Sequence, residues 1–297
     1  MECLAARLAL LSPQLLKVYS FIWLQWLLSP SRKEREMEEL IVEKKGNVMI
    51  LTLNRPEKKN ALSFSLVQAL GDTIEKAQFD DETRALIITG TGDGFSTGAD
   101  LTGGGGREDA FTPLGMRITC FAYSKMVSAM WLLEKPIIGA INGTAAGASC
   151  NIAFACDLLV ASERAKFIQV FVRRGLIADA GGTYFLPRIV GLAKAKELMF
   201  FGEDISAEKA LELGLVNRVV RHEKLMEEAL AVAEHLAKGP TRAIGMMKGM
   251  LNKSFESDLL SALDREGSLQ GIAVATQDVV EGVTSFMEKR PPEFKGR

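Results

Sequence analysis

The chain has 297 residues, of which 47% are hydrophobic and 25% charged, with a formal net charge of -1. A chain of that length and composition reads as a soluble globular protein of one large or two small domains with ample core. Its near-neutral charge provides no electrostatic footprint for nucleic acid. The four cysteines (Cys3, Cys120, Cys150, Cys156) contain no CxxC pair and suggest no disulfide framework, so reduced thiols and a cytoplasmic location are expected. His222 and His235 are the two histidines, and neither lies near a Ser or Cys motif. This argues against Ser-His-Asp and Cys-His chemistry and excludes a His-rich metal site.

Residues 1–36 differ from the rest. The stretch 8–28 is strongly apolar, but Pro13, Gln14, Lys17 and Gln25 interrupt it, so neither a clean spanning helix nor a signal peptide fits well. An amphipathic targeting or membrane-surface helix is one reading, and a translation start at Met37 is the preferred one, because a first strand follows directly. Membrane contact is expected only if this segment belongs to the native protein.

From Met37 onward the pattern alternates β and α. Residues 40–43 and 48–53 read as strands about a Lys44-Lys45-Gly46-Asn47 turn, and 63–79 as a helix with Leu66, Leu70 and Ile74 on one face. Residues 85–89 form an apolar run suited to a buried strand. A helix is expected over 114–133, broken by Lys135-Pro136 ahead of a strand at 137–141, then a helix at 148–156 and a strand at 158–161. The glycine run 103–106 lacks the Lys-Ser/Thr of a phosphate loop and reads as a surface loop. After Gly191 the pattern is mostly helical: 192–201, 206–213, 225–238, 241–253, 257–275 and 277–289. The expected organisation is therefore an extension (1–36), an α/β core (37–190) and a helical C-terminal region (191–297).

Three stretches carry candidate chemistry. Residues 95–101, FSTGADL, form a small-residue turn that lets backbone N–H groups approach a ligand. Residues 142–157, NGTAAGASCNIAFACD, read as strand end, turn and helix start, whose free N–H groups favour an anion. Together two such turns could form an oxyanion hole. The third stretch, 167–190, holds one carboxylate, Asp179, ahead of Ala180, Gly181 and Gly182. It reads either as a helix N-cap or as a poorly solvated acid ready for proton transfer.

FSTGADL, KPIIGAINGTAAGASCNIAFACD, the Asp179 stretch and GLVNRVV, in this order, resemble the crotonase (enoyl-CoA hydratase/isomerase) family, as do the opening LNRPEKKNALS and the closing FMEKRPPEF. The resemblance covers about residues 38–297. It implies an α/β fold, a crotonase-like spiral of ββα units with a helical C-terminal region, assembled as a homotrimer or hexamer. It implies an acyl-CoA substrate with no separate cofactor or metal, CoA being part of the substrate. By the same resemblance the N–H groups of Ala99 and Ala148 hold the thioester oxygen, although the family usually has Gly where Ala148 stands. Lys59, Ala61 and Asp100 fall in the CoA-binding stretches, and Phe286 and Lys289 match C-terminal residues that close over the nucleotide. For Lys59 and Lys289 a solvated surface charge is the competing reading.

The family's hydratases place two glutamates where this chain has Asn151 and Phe171. Asp179 stands where isomerases and a dehalogenase of the family carry their working carboxylate, and its surroundings resemble the ring-epoxide isomerases of phenylacetate degradation and related double-bond isomerases. One acid suffices for a 1,3 proton shift. The expected activity is therefore an enoyl-CoA isomerase with Asp179 as acid and base. The alternatives are a hydratase using Asp179 and water, and a silent acyl-CoA-binding subunit, which the retained Asp179 argues against.

Overall fold

A computed structural model of the chain describes residues 39–101, 109 and 111–297. The extension 1–36 and the glycine run 103–106 lie outside the described residues. Residues 39–297 form one compact unit. It opens on a hairpin of β1 (Leu40–Lys45) and β2 (Val48–Leu53), antiparallel. Lys44 and Lys45 pair with Met49 and Val48, so the turn tightens to Gly46-Asn47, with Gly46 at φ +58°. A two-residue hairpin needs that left-handed backbone, which glycine adopts without a steric penalty.

The chain then adds parallel strands β3 (Ala85–Gly90), β4 (Ile137–Ile141), β6 (Leu158–Ser162) and β9 (Arg218–Val220), giving a sheet of order β1-β2-β3-β4-β6-β9. Every residue of β3 and β4 is buried, as befits parallel strands covered on both faces. Alternation divides their side chains between two cores. Leu86 and Ile88 pack with Leu66, Leu70 and Ile74 of α1 (Phe64–Ala77), while Ala85 and Ile87 pack with Leu225, Ala229 and Ala233 of α7 (Leu225–Lys238). Ser63 starts α1 by accepting the Leu66 N–H at 3.0 Å, the capping bond that a serine before an amphipathic run leads one to expect.

A second sheet, order β5-β7-β8, joins β5 (Thr144–Ala146), β7 (Lys166–Ile168) and β8 (Asp204–Ser206). These strands and β9 have three residues each, too short to show a period of two, and the sequence reading missed all four. Two of them, β8 and β9, come from beyond residue 191, so the C-terminal part is not helical alone; it completes both sheets. The remaining helices are α2 (Pro113–Leu132), α3 (Ala148–Phe154), α4 (Gly182–Val190), α5 (Leu192–Phe201), α6 (Ala207–Glu212), α8 (Thr241–Lys253), α9 (Leu259–Ala273) and α10 (Gln277–Glu288). Among the described residues no helix is long and apolar enough to cross a membrane.

Lys248 ties α8 to the α/β core. Its buried Nζ donates to the Asp157 carboxylate at 2.8 Å and to the carbonyls of Met130 (3.1 Å) and Lys135 (3.2 Å). Substituting one partner of such a pair leaves the other charge buried and uncompensated. Lys248→Met is expected to cost about 3 kcal/mol, read as a lower denaturation midpoint in urea.

Candidate active site

Two backbone turns meet at the wall of one cavity of about 330 Å³. The first, at Gly98-Ala99-Asp100, is pinned from one side by the segment before α1. Leu62 N–H donates to Gly98 O (2.8 Å), Asp100 N–H donates to Leu62 O (3.0 Å), and Thr97 N–H donates to Lys59 O (3.2 Å). In that pairing the amides of Leu62 and Asp100 are consumed while the intervening Ala99 N–H points the other way. The second turn leads from β5 into α3. Gly147 adopts φ +56°, ψ -127°, a conformation reserved for glycine, and delivers Ala148 as the first residue of the helix. The glycine requirement thus falls on Gly147, and Ala148 presents its N–H without strain. Neither the Ala99 nor the Ala148 N–H has a hydrogen-bond partner among the described residues, and both residues line the cavity.

The turns are stitched to one another. Ser96 N–H donates to Thr144 O (2.9 Å), Ala146 N–H donates to Ser96 O (3.0 Å), and the Ser149 hydroxyl is within 2.7 Å of both the Ser96 and Ala146 carbonyls. Gly98, at φ +91°, is what permits this contact, since a Cβ there would lie 2.6 Å from Ala146 O and 3.6 Å from Ala148 N.

Asp179 faces the same cavity. The N-cap reading does not hold: α4 begins at Gly182 after Gly181, with no side-chain cap, and it is the Asp179 carbonyl that accepts the Gly182 N–H (3.0 Å). Ala180 sits at φ +47° and Gly181 at φ +78°. A left-handed alanine costs about 1 kcal/mol. The Asp179 Oδ1 is enclosed without a hydrogen-bond partner among the described residues. Burial pushes the Asp179 carboxyl up to about 6, because poor solvation disfavours the charged form.

Asn151, where a hydratase glutamate is expected, does not line the cavity. It is fully buried, donates through Nδ2 to the Asp179 carbonyl (2.8 Å) and accepts from Gln169 Nε2 (2.8 Å). A Cβ on Gly182 would lie 2.3 Å from that Nδ2, so α4 seats directly on the amide. Sequence reading missed this positioning role, and a buried Asn on a small-residue helix carries no pattern that would reveal it. Phe171 does line the cavity, as an apolar wall.

Asp100 also lines the cavity, with its carboxylate held by Arg55 (2.9 Å) and Lys58 (3.3 Å). Ala61 is buried beside this turn, its carbonyl accepting from Arg55 Nη1 (2.5 Å), and Lys59 adopts φ +52° next to it. Phe286 and Lys289 lie elsewhere: Phe286 is 84% exposed, Lys289 ends α10, and neither lines the cavity.

The enoyl-CoA hydratase/isomerase family profile matches residues 43–297. A 1,2-epoxyphenylacetyl-CoA isomerase of Escherichia coli K12 is 38% identical over 262 residues, covering 88% of this chain and 100% of its own length. A short-chain-enoyl-CoA hydratase of Clostridium acetobutylicum is 36% identical over 264 residues, 88% of this chain and 100% of its own. A crystal structure described as a putative enoyl-CoA hydratase of Streptomyces coelicolor A3(2) superposes with a TM-score of 0.84 at 32% identity, covering 91% of this chain and 97% of that one.

Asp179 titrates near 6 in the folded chain against 3.8 for an ordinary aspartate. Its raised folded-state pKa makes a stability contribution that is present below pH 3.8 and lost as pH rises through about 6. Asp179→Asn has no such ionisation. The variant is therefore expected to match the wild type near pH 4 and to exceed it by on the order of 1–2 kcal/mol at pH 8, in paired urea melts. A capping aspartate would give the opposite sign.

Proposed function

The chain belongs to the enoyl-CoA hydratase/isomerase family, and on that premise we propose that it isomerises an unsaturated or ring-epoxide acyl-CoA with Asp179 as the sole proton carrier. The observation that carries this reading is the acid inventory of the cavity. Among the described residues that line it, Asp179 is a carboxylate with an unpartnered oxygen and a proton affinity near neutrality, whereas Asp100 is engaged by two cations. The positions of the hydratase glutamates hold a packed amide and a phenyl wall, which argues against two-carboxylate water addition.

The thioester oxygen takes the Ala99 and Ala148 N–H groups. Asp179, ionised above about pH 6, removes a proton from the carbon next to the thioester, and the electron pair moves onto that oxygen as a dienolate. The two fixed dipoles stabilise the developing charge in a poorly solvated wall. The same acid, now protonated, delivers its proton to C4, so the double bond moves from C3–C4 to C2–C3 with no net gain or loss of atoms or electrons. The reaction needs no metal or redox cofactor. Lys59 and Ala61, beside the Ala99 turn, are assigned to the CoA end. Phe286 and Lys289 join the site only in an assembled oligomer, since they lie off the cavity within one chain. A trimer or hexamer is supported by exposed apolar side chains on α9 and α10, among them Leu260, Phe286 and Met287.

Incubation with a 3-enoyl-CoA and a 2-enoyl-CoA, with product identification, is expected to show interconversion and no hydroxyacyl product. Hydration of the 2-enoyl ester as the main outcome would favour the hydratase reading. Asp179→Asn is expected to lower turnover about 10²–10⁴-fold with little change in CoA-ester affinity. In the wild type, kcat/KM should rise with pH through about 6 and then level off. Near-normal turnover in the variant would remove Asp179 from the mechanism. Light scattering at micromolar concentration is expected to give three or six times the chain mass, and a monomer would refute the assembly.

A further inference from the structure

One polar group on the cavity wall takes no part in the proton shift. Tyr123 lies on α2, which turns Met116, Thr119, Ala122 and Tyr123 toward the cavity, the spacing of a single helical face. The residue is 2% exposed. Its phenol oxygen has no hydrogen-bond partner among the described residues, yet it is not one of the enclosed, unpartnered atoms. The hydroxyl is therefore not fully enclosed, and the residue lines the cavity.

Two neighbouring polar side chains are committed elsewhere. Thr119 Oγ1 donates back to the Gly115 carbonyl (3.0 Å), and Asp100 is held by Arg55 and Lys58. Most of the surrounding wall is apolar, formed by residues such as Val67, Phe171 and Leu176. Burial, with the nearby Asp179 carboxylate, pushes the Tyr123 phenol far above its ordinary range, so it stays protonated and can act as a donor. A buried donor without an acceptor is costly, whereas the same donor given an acceptor is not.

We propose that Tyr123 is a specificity-determining donor to an oxygen atom carried on the acyl group. The substrate class is then acyl-CoA esters whose acyl part bears a cyclic ether, epoxide or hydroxyl oxygen, in preference to plain hydrocarbon alkenes. The proposal rests on the acyl-CoA reading of the cavity but not on Asp179 chemistry. A hydrocarbon acyl group filling the cavity would cover the hydroxyl and leave it unpaired, and sites with a buried polar partner discriminate strongly against ligands that lack its complement.

The test uses saturated esters, which have no double bond to move, and the full chain. Affinities of cyclohexylacetyl-CoA and of the three ring-oxygen isomers of tetrahydropyranylacetyl-CoA are compared by calorimetry. At least one oxygen isomer is expected to bind the wild type about tenfold more tightly than the carbocycle. In Tyr123→Phe that advantage should shrink to about twofold or less while carbocycle affinity is retained or improved. No preference in the wild type, or a preference that survives in Tyr123→Phe, overturns the proposal. The wild-type comparison needs no variant, and Tyr123→Met replaces Tyr123→Phe if the latter fails to fold. Failure of all four esters to bind overturns the acyl-CoA reading and this proposal with it. A surviving preference in Asp179→Asn, whatever its turnover, shows the two roles to be separate.

Discussion

Two backbone segments must approach within van der Waals contact for this cavity to offer paired N–H groups, and Gly98 is the residue that permits it. A methyl group there would lie 2.6 Å from the Ala146 carbonyl, well inside contact distance. Around that contact the Ser96 and Ser149 bonds and the short Ser96–Ala145 bridge lock the turns into one rigid element. Rigidity matters because an oxyanion hole works by dipoles that need not reorganise as charge develops. The main sheet serves the same end, since its fully buried strands β3 and β4 run into the loops that carry both turns.

The acid is positioned by a second device, made of amides rather than charges. Gln169 donates to Asn151, Asn151 donates to the carbonyl of Asp179, and Gly182 brings α4 close enough for the seat to form. Holding the backbone rather than the carboxylate leaves Oδ1 without a hydrogen-bond partner among the described residues. A salt bridge to the acid would have fixed its place too, but it would have held the carboxylate ionised and lowered its proton affinity. Asp100 illustrates that contrast on the same wall, where Arg55 and Lys58 hold the carboxylate within a structural pair. The two acids differ in their neighbours: Asp100 sits against two cations, while burial raises the proton affinity of Asp179.

Relatives named as isomerase and as hydratase share about the same identity with this chain. Overall likeness therefore does not separate the two reactions, and the proposed isomerase reading rests instead on a few residues in and around the cavity. Asn151 turns away into the core, Phe171 presents a ring, and Tyr123 brings a hydroxyl that no atom among the described residues uses.

The sequence by itself determined the long elements, because their signals are local. Continuous apolar runs marked β3 and β4, the stripe of Leu66, Leu70 and Ile74 marked α1, and the order of the small-residue turns around Ala99 and Ala148 marked the family. Only the tertiary structure decided the rest. The three-residue strands β5, β7, β8 and β9 exist through partners distant in sequence, since so short a segment has no periodicity of its own. Asp179 read in sequence either as a cap or as a cavity acid, because the two share the same neighbours; the left-handed Ala180 and Gly181 and the seat of α4 on Asn151 exclude the cap. Whether Asn151 meets substrate or core, and whether Tyr123 has a partner, depends on distances between residues far apart in the chain. Such distances come into being only when the chain folds.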